Sequence, residues 1–144
     1  METNIKTILL AVQQRLADQV PELAYIDKNW GQLDYEAPPV KWPCALLDID
    51  EITHIETDGV GRGCVIHTTS GKTYNGSTSL GEYEGRLAGQ AFYRIHKTCL
   101  VQLRYVESIF PWTGSGFALR VHGTGSVLPI GRERVRELRR RLSI

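Results

Sequence analysis

Short segments rich in β-branched and aromatic residues, most of them bounded by turn residues, follow one another from residue 45 to residue 130. This pattern favours a β-rich body, because such side chains pack well on a pleated surface and glycine-containing turns reverse the chain. Helices do not alternate with the strands, which disfavours a Rossmann or P-loop fold. The predicted strands are Ala45–Asp50, Ile52–Thr57, Cys64–Thr69, Lys72–Asn75, Phe92–His96, Leu100–Phe110, Phe117–His122 and Val127–Ile130.

Three helices are predicted around these strands. Apolar residues at helical spacing predict an amphipathic helix over Thr3–Asp18. A short internal helix should begin at Ser79, because a serine followed three positions later by Glu82 is a capping-box pattern. A terminal helix is predicted from about Arg132 to Leu142. The expected fold is mainly β with α: small antiparallel sheets, one short internal helix and a C-terminal helix, preceded by the N-terminal amphipathic helix.

The sequence pattern changes near residue 45, and the balance of charge changes near residue 50. Its 144 residues leave room for one full domain, or for one domain and an appendage. We predict a helix and an irregular connector over residues 1–45, and a β-rich domain over residues 46–144. Residues 1–50 hold four Lys/Arg against eight Asp/Glu, a formal charge of −4, whereas residues 51–144 hold 13 against eight, a charge of +5. A basic domain is typical of proteins that meet phosphate groups.

The short apolar runs and the pattern of cysteines favour a protein of the cytoplasm. The longest apolar run near the N-terminus is Ile8–Val12, well short of the roughly 18 to 20 residues that a membrane-spanning helix needs. A signal peptide is disfavoured on the same ground, so we expect a cytoplasmic protein with no membrane insertion. The three cysteines form no CxxC pair, which predicts buried thiols rather than a disulfide framework or a clustered zinc site.

No arrangement of residues typical of an enzyme is present in the sequence. Gly59–Gly63 is glycine-rich, but it lacks the GK[ST] ending of a phosphate-binding loop and joins two predicted strands. The four histidines match no metal-binding spacing, and the carboxylates form no pair suited to acid/base chemistry. We therefore predict no enzymatic activity, no catalytic residue, no metal and no cofactor. The remaining enzymatic alternative, a small hydrolase using His67 or His96, would require a pocket around one of these rings.

Cationic and polar side chains concentrate at three turns or element ends of the predicted β scaffold. Loops on a rigid scaffold often carry recognition groups. Arginine can bind guanine or phosphate through two nitrogens at once, whereas lysine acts as a point charge. The three segments are Gly61–Gly63, Arg94–Thr98 and Gly131–Arg134.

Four blocks of sequence, in order, resemble the LytTR-type DNA-binding domain. The resemblance extends from about Leu46 to Ile144 and implies sequence-specific binding of double-stranded DNA by a transcriptional regulator. It also implies that loops and a helix N-terminus enter successive major grooves, and that the protein binds repeated sites as a homodimer or in pairs. The blocks are Asp50–Glu56, Thr69–Tyr74 with Ser79–Leu87, Phe92–Gln102, and Leu128–Arg132.

Carried onto this sequence, the resemblance implies three principal contacts with DNA. These are Arg62 in the loop between the second and third predicted strands, Lys97 after the Arg-Ile-His block, and Arg132 at the start of the last helix. Thr98 is implied as a phosphate contact, and Gly63 as a residue that lets the backbone approach closely. The complete predicted set is Arg62, Gly63, Lys72, His96, Lys97, Thr98, Arg132 and Arg134.

Two alternatives stay open at this point. His96 is also compatible with a buried structural histidine, and the arginines of the last helix with ordinary solvated positions. Residues 25–45 weakly resemble small prophage proteins of the tail- or head-completion type, which would make the chain a structural assembly protein acting through protein–protein contacts. For the N-terminal helix we expect a packing or dimerisation role.

Overall fold

The structure, a computed structural model, describes residues 5–28, 32–47, 50–60 and 63–144. It contains two compact units, Met1–Ile49 and Asp50–Ile144. None of the helices in the described ranges is long and apolar enough to cross a membrane.

Where the structure describes it, the first unit combines an α-helix, a pair of short strands and a 3₁₀ turn over Gln32–Asp34. Helix α1 (Ile5–Gln19) is followed by β1 (Tyr25–Lys28), which pairs in parallel with β2 (Cys44–Leu47). The side-chain amide of Gln13 donates a hydrogen bond to the carbonyl of Ile26 and ties the helix to β1. The helix was expected, but strand β1 lies in a segment predicted to be an irregular connector. Four residues with no alternating pattern give no strand signal, and a parallel partner 19 residues away is not visible from local periodicity.

The second unit is built from two antiparallel sheets and two helices, as the β-rich pattern predicts. One sheet has five strands in the order β5-β4-β3-β7-β6, and the other has three in the order β10-β9-β8. Their bounds are β3 (Ile52–Thr57), β4 (Cys64–Thr68), β5 (Thr73–Gly76), β6 (Phe92–His96), β7 (Cys99–Gln102), β8 (Val106–Pro111), β9 (Phe117–Val121) and β10 (Val127–Ile130). The helices are α2 (Leu80–Arg86) and α3 (Val135–Leu142), the latter preceded by a 3₁₀ turn over Arg132–Arg134.

The segment Leu100–Phe110, predicted as one strand, is two strands in different sheets. Strands β7 and β8 are separated by a 3₁₀ turn over Leu103–Tyr105. The Tyr105 hydroxyl donates a hydrogen bond to the Glu51 carboxylate, and its backbone carbonyl accepts one from the amide of His122. Because no glycine or proline interrupts this segment, the sequence shows no sign of the turn.

Each face of the five-stranded sheet is covered by a different element. On one face, α2 packs through Leu80 on a small buried cluster. On the other, the three-stranded sheet and α3 enclose a larger core. Helix α2 starts where the capping pattern predicts, since the Ser79 hydroxyl accepts a hydrogen bond from the Glu82 amide at 3.3 Å. The buried members of the larger core are Ile95, Cys99, Val101, Leu119, Val121, Leu128, Ile130, Val135 and Leu138.

Asp50 fastens the β4–β5 turn to the segment that leads into β3. Its carboxylate accepts hydrogen bonds from the Ser70 hydroxyl at 2.6 Å, the Ser70 amide at 3.0 Å and the Thr69 hydroxyl at 3.0 Å. Desolvation is the largest single influence and acts to raise the pKa of this carboxyl. The hydrogen bonds from Ser70, Thr68 and Thr69 outweigh it together and hold the pKa of Asp50 at about 2.

We expect this carboxylate to stabilise the fold above pH ~4 and to lose that contribution as the pH falls to about 2, because its folded pKa lies below the ordinary value. Asp50→Asn should therefore lower the free energy of unfolding at neutral pH by about 1 kcal/mol, a small value because the turn is partly exposed to solvent. Urea unfolding at pH 7 and pH 3 tests this. The deficit of the variant should shrink at pH 3, and an equal deficit at both values would contradict the assignment.

Candidate nucleic-acid interface

Lys97 and Thr98 form the tight turn that joins β6 to β7. The Thr98 carbonyl accepts a hydrogen bond from the Thr57 amide at 3.0 Å, and its hydroxyl lies 2.7 Å from Nδ1 of His96. Both contacts hold the turn against the sheet. Lys97 itself is exposed.

The two predicted residues beside Lys97 have structural contacts. The half-buried ring of His96 uses Nδ1 to contact Thr98, and Nδ1 also accepts a longer hydrogen bond of 3.3 Å from the Thr98 amide. This arrangement agrees with the structural interpretation of His96. A direct DNA contact by either residue stays a prediction.

Arg94 stabilises the same turn through hydrogen bonds to its backbone. It was not among the predicted site residues. Its guanidinium donates hydrogen bonds to the Lys97 carbonyl at 2.7 Å and to the His96 carbonyl at 3.3 Å. A third contact, at 3.1 Å, is an ion pair with Glu84. Arg94 therefore acts as a positioning residue for Lys97. The sequence indicates Arg94 only as part of the cationic segment Arg94–Thr98, because its role depends on the turn that begins three residues later.

Arg132 begins the 3₁₀ turn that leads into α3. The preceding Gly131 donates its amide hydrogen to the carbonyl of Ile95 at 2.7 Å, which places Arg132 next to the end of β6. Arg132 is exposed. Within the described part of the chain, neither its guanidinium nor the Lys97 ammonium forms a hydrogen bond or an ion pair.

Arg134, another predicted contact, is partly used by the fold. Its Nη1 donates to the carbonyl of Arg94 at 2.7 Å, and its Nε lies 3.7 Å from the Glu133 carboxylate. This half-buried guanidinium clamps the start of the last helix onto β6. A contact with DNA through its remaining nitrogens stays a prediction.

Gly63 is needed for packing within the sheet. A Cβ at this position would lie 2.9 Å from the carbonyl oxygen of Gly76 and 2.9 Å from a carboxylate oxygen of Asp58. The structure therefore requires glycine here for contact with β5, and a close approach of Gly63 to DNA stays a prediction. Arg62, the neighbouring predicted contact, lies outside the described residues.

Most of these positions meet at one end of the five-stranded sheet. Thr57 pairs with Cys64 and His96 pairs with Cys99, so the β3–β4 connection and the β6–β7 turn leave the sheet on the same side. Gly131 joins them beside β6. Adjacent strands lie about 4.8 Å apart, which puts the two connections roughly 10 Å from each other. We call the β3–β4 connection, the Lys97 turn and Arg132 the contact row.

Lys72 lies at the opposite end of the same sheet. It follows the β4–β5 turn, and its carbonyl accepts a hydrogen bond from the amide of Thr68, the last residue of β4. A five-residue strand separates this turn from the contact row, a distance of about 17 Å. The structure therefore does not bring Lys72 together with Lys97 or Arg132.

The sequence family described as the LytTr DNA-binding domain matches residues 44–143. The chain belongs to the LytTR family. Among its relatives, the sensory transduction protein LytT of Bacillus cereus is 28% identical over 108 residues, which is 75% of this chain and 42% of LytT. The CO-responsive transcriptional regulator RcoM of Rhodospirillum rubrum is 31% identical over 98 residues, 68% of this chain and 40% of RcoM. The LytTR chain thus spans about two-fifths of the length of these curated relatives.

A solved structure shares the fold. The LytTr DNA-binding domain of a methyl-accepting/DNA response regulator from Bacillus cereus superposes with a TM-score of 0.55 at 22% sequence identity. The match covers 65% of this chain and 82% of that one. The predicted LytTR-like architecture of small antiparallel sheets with an internal and a C-terminal helix is confirmed.

Proposed function

We propose that this chain binds double-stranded DNA in a sequence-specific manner, as the DNA-binding part of a transcriptional regulator. The observation that carries the proposal is the LytTr DNA-binding domain match over residues 44–143, more than half of the chain. The name of RcoM describes that protein as a transcriptional regulator, and the name of LytT places it in sensory transduction. The charge of +5 over residues 51–144 suits a phosphate-bearing partner.

In this proposal the contact row lies along the DNA. Lys97, an exposed point charge at the centre of the row, binds a backbone phosphate. Arg132 reads a base edge in the major groove, where its planar guanidinium can donate to both O6 and N7 of guanine. Arg62 and Gly63 are assigned to the neighbouring major groove, as the family resemblance implies. Two copies would bind repeated sites as a homodimer or in pairs.

A mobility-shift assay of the full chain against a library of genomic fragments tests the proposal. We expect a subset of fragments to be retarded, with an affinity that falls steeply as the salt concentration rises. Binding that is absent from every fragment, or equal for all of them, would overturn sequence-specific recognition. Ring-shaped or larger assemblies that ignore DNA would support the alternative of a prophage structural protein.

Lys97→Ala should weaken binding to every fragment by a similar factor, since a phosphate contact carries no sequence information. The slope of log K against log salt should become shallower by about one. Lys72→Ala removes the same charge from the opposite end of the sheet, about 17 Å from the contact row, and should change both quantities less. A loss in Lys72→Ala as large as that in Lys97→Ala would contradict the central place given to Lys97.

A further inference from the structure

Two histidines that are 13 residues apart in sequence face each other across strands β3 and β4. His54 pairs with His67 in the antiparallel register, and the two rings stack with centroids 4.1 Å apart and planes 9° from parallel. Glu56 lies two residues beyond His54, on the same face of β3. Its Oε2 is 3.1 Å from Nε2 of His67 and 3.7 Å from Nε2 of His54.

The ring of His54 is fully buried, and one of its nitrogens lacks a partner. The Thr53 hydroxyl donates its hydrogen to the carbonyl of His67 at 3.2 Å and lies 3.0 Å from Nδ1 of His54. With that hydrogen already used, the hydroxyl oxygen accepts from Nδ1–H, which leaves a lone pair on Nε2. Among the described residues, nothing forms a hydrogen bond with this nitrogen. Nε2 of His54 faces the Glu56 carboxylate at 3.7 Å, beyond hydrogen-bonding distance.

A metal ion would give the buried Nε2 of His54 a partner. The possible ligand atoms of His54, Glu56 and His67 all lie within 4.8 Å of one another. Zinc bonds to imidazole nitrogen and carboxylate oxygen are about 2.0–2.2 Å long. To share one ion, the two stacked rings would tilt relative to each other so that both Nε2 atoms point at it, and the partly exposed His67 ring has the freedom to do so. Two imidazoles and one carboxylate suit a divalent transition metal rather than Ca²⁺ or Mg²⁺, which prefer oxygen ligands throughout.

The surroundings provide access and orientation. The side chains of Glu56 and His67 are 35% and 25% exposed, which leaves room for an ion to enter and for water to complete its coordination. The Cys99 thiol points at the other carboxylate oxygen of Glu56, 3.6 Å away. The Thr53 contact to Nδ1 of His54 and this thiol contact are of the outer-shell kind that orients metal ligands.

We propose that His54, Glu56 and His67 form a binding site for a divalent transition-metal ion such as Zn²⁺. The site lies on the face of β3 and β4 that carries Val101 of the neighbouring strand β7. None of its three residues belongs to the contact row. It is independent of the proposed binding of DNA.

Calorimetric titration of the untagged, EDTA-treated full chain with zinc sulfate tests the site. We expect one Zn²⁺ per chain with micromolar or tighter affinity, and a melting temperature that rises with zinc concentration, because the ion binds the folded state. Co²⁺ in place of Zn²⁺ should give the visible absorption of a nitrogen and oxygen site, without a thiolate-to-cobalt charge-transfer band. Absence of stoichiometric binding to the wild-type chain, or a thiolate band, would overturn the proposal.

Matched variants assign the ligands. His67→Gln and Glu56→Gln should each weaken zinc binding more than about tenfold, since each removes a direct ligand. His122→Gln changes an exposed histidine elsewhere in the same unit and should bind zinc like the wild type. Circular dichroism of the zinc-free proteins verifies that each variant is folded. Undiminished binding in folded His67→Gln would contradict the site, and the wild-type titration decides the question if that variant unfolds.

Discussion

Replacing Arg132 by alanine is expected to weaken binding to the best DNA site about 5- to 150-fold, which corresponds to about 1–3 kcal/mol, the value of one good bidentate contact with a base. Arg132 is exposed beside the end of β6, at the first position of the 3₁₀ turn. Because its side chain supports no other described part of the fold, the variant should unfold at the same denaturant concentration as the wild type.

The distinguishing measurement compares the preferred site with sites altered at single base pairs. Arg132→Ala should lose discrimination at one position, whereas a phosphate contact would cost affinity evenly across sequences. Arg136→Ala is the matched control, because it removes an exposed arginine four residues further along the same chain segment. If both variants lose affinity evenly, Arg132 does not read a base.

Leu138→Ala is expected to lower the free energy of unfolding by about 2–5 kcal/mol. Leu138 is fully buried in the core between α3, β6 and the three-stranded sheet. Its truncation removes apolar contacts and leaves a cavity that the two sheets cannot close without moving.

Urea unfolding with an unchanged m-value would measure this loss. Leu142→Ala, which shortens a half-buried leucine at the end of the same helix, should cost clearly less. A loss of less than about 1 kcal/mol for Leu138→Ala would mean that α3 is not docked as described. DNA binding by Leu138→Ala should weaken only under conditions that unfold it, because α3 supports the Arg132 turn without contacting DNA through this residue.

Local signals were sufficient for much of the second unit. Strands β3 and β6 were predicted with the bounds that the structure shows, since each is a short β-rich run that ends at a turn. The start of α2 at Ser79 was equally visible, because a cap is a local hydrogen bond between residues three apart. Such features depend on neighbours in the chain, which a single sequence displays.

Features that depend on distant pairing were not visible. The change of sheet at Leu103–Tyr105 occurs without a turn residue, and the partner of β1 lies beyond a long connection. In the candidate site too, some residues could be named from the sequence and the roles of others could not. Lys97 and Arg132 could be named from the sequence, but the role of Arg94 depends on carbonyls exposed by the turn. The placement of Lys72 at the far end follows only from the strand order.

The His54–His67 pair illustrates the same limit at a potential ligand site. Metal-binding patterns in sequence are recognised by fixed spacing on one element, and these residues lie on two strands. Their side chains meet because the hairpin register sets one opposite the other. A shift of the register by one residue would have sent the two rings to opposite faces of the sheet.

Two arginines connect the last helix, strand β6 and the Lys97 turn. Arg134 donates a hydrogen bond of 2.7 Å to the carbonyl of Arg94, and the Arg94 guanidinium donates one of 2.7 Å to the carbonyl of Lys97. A DNA-contacting surface held by such hydrogen bonds should change its shape little on binding. One extra base pair displaces the next groove by about 3.4 Å and turns it by about 35° around the duplex axis. The Lys97 turn and the start of the last helix cannot follow such a displacement without breaking these hydrogen bonds. If the proposed binding mode holds, the DNA sites bound should differ from one another in base identity more than in the number of base pairs that separate the contacted bases.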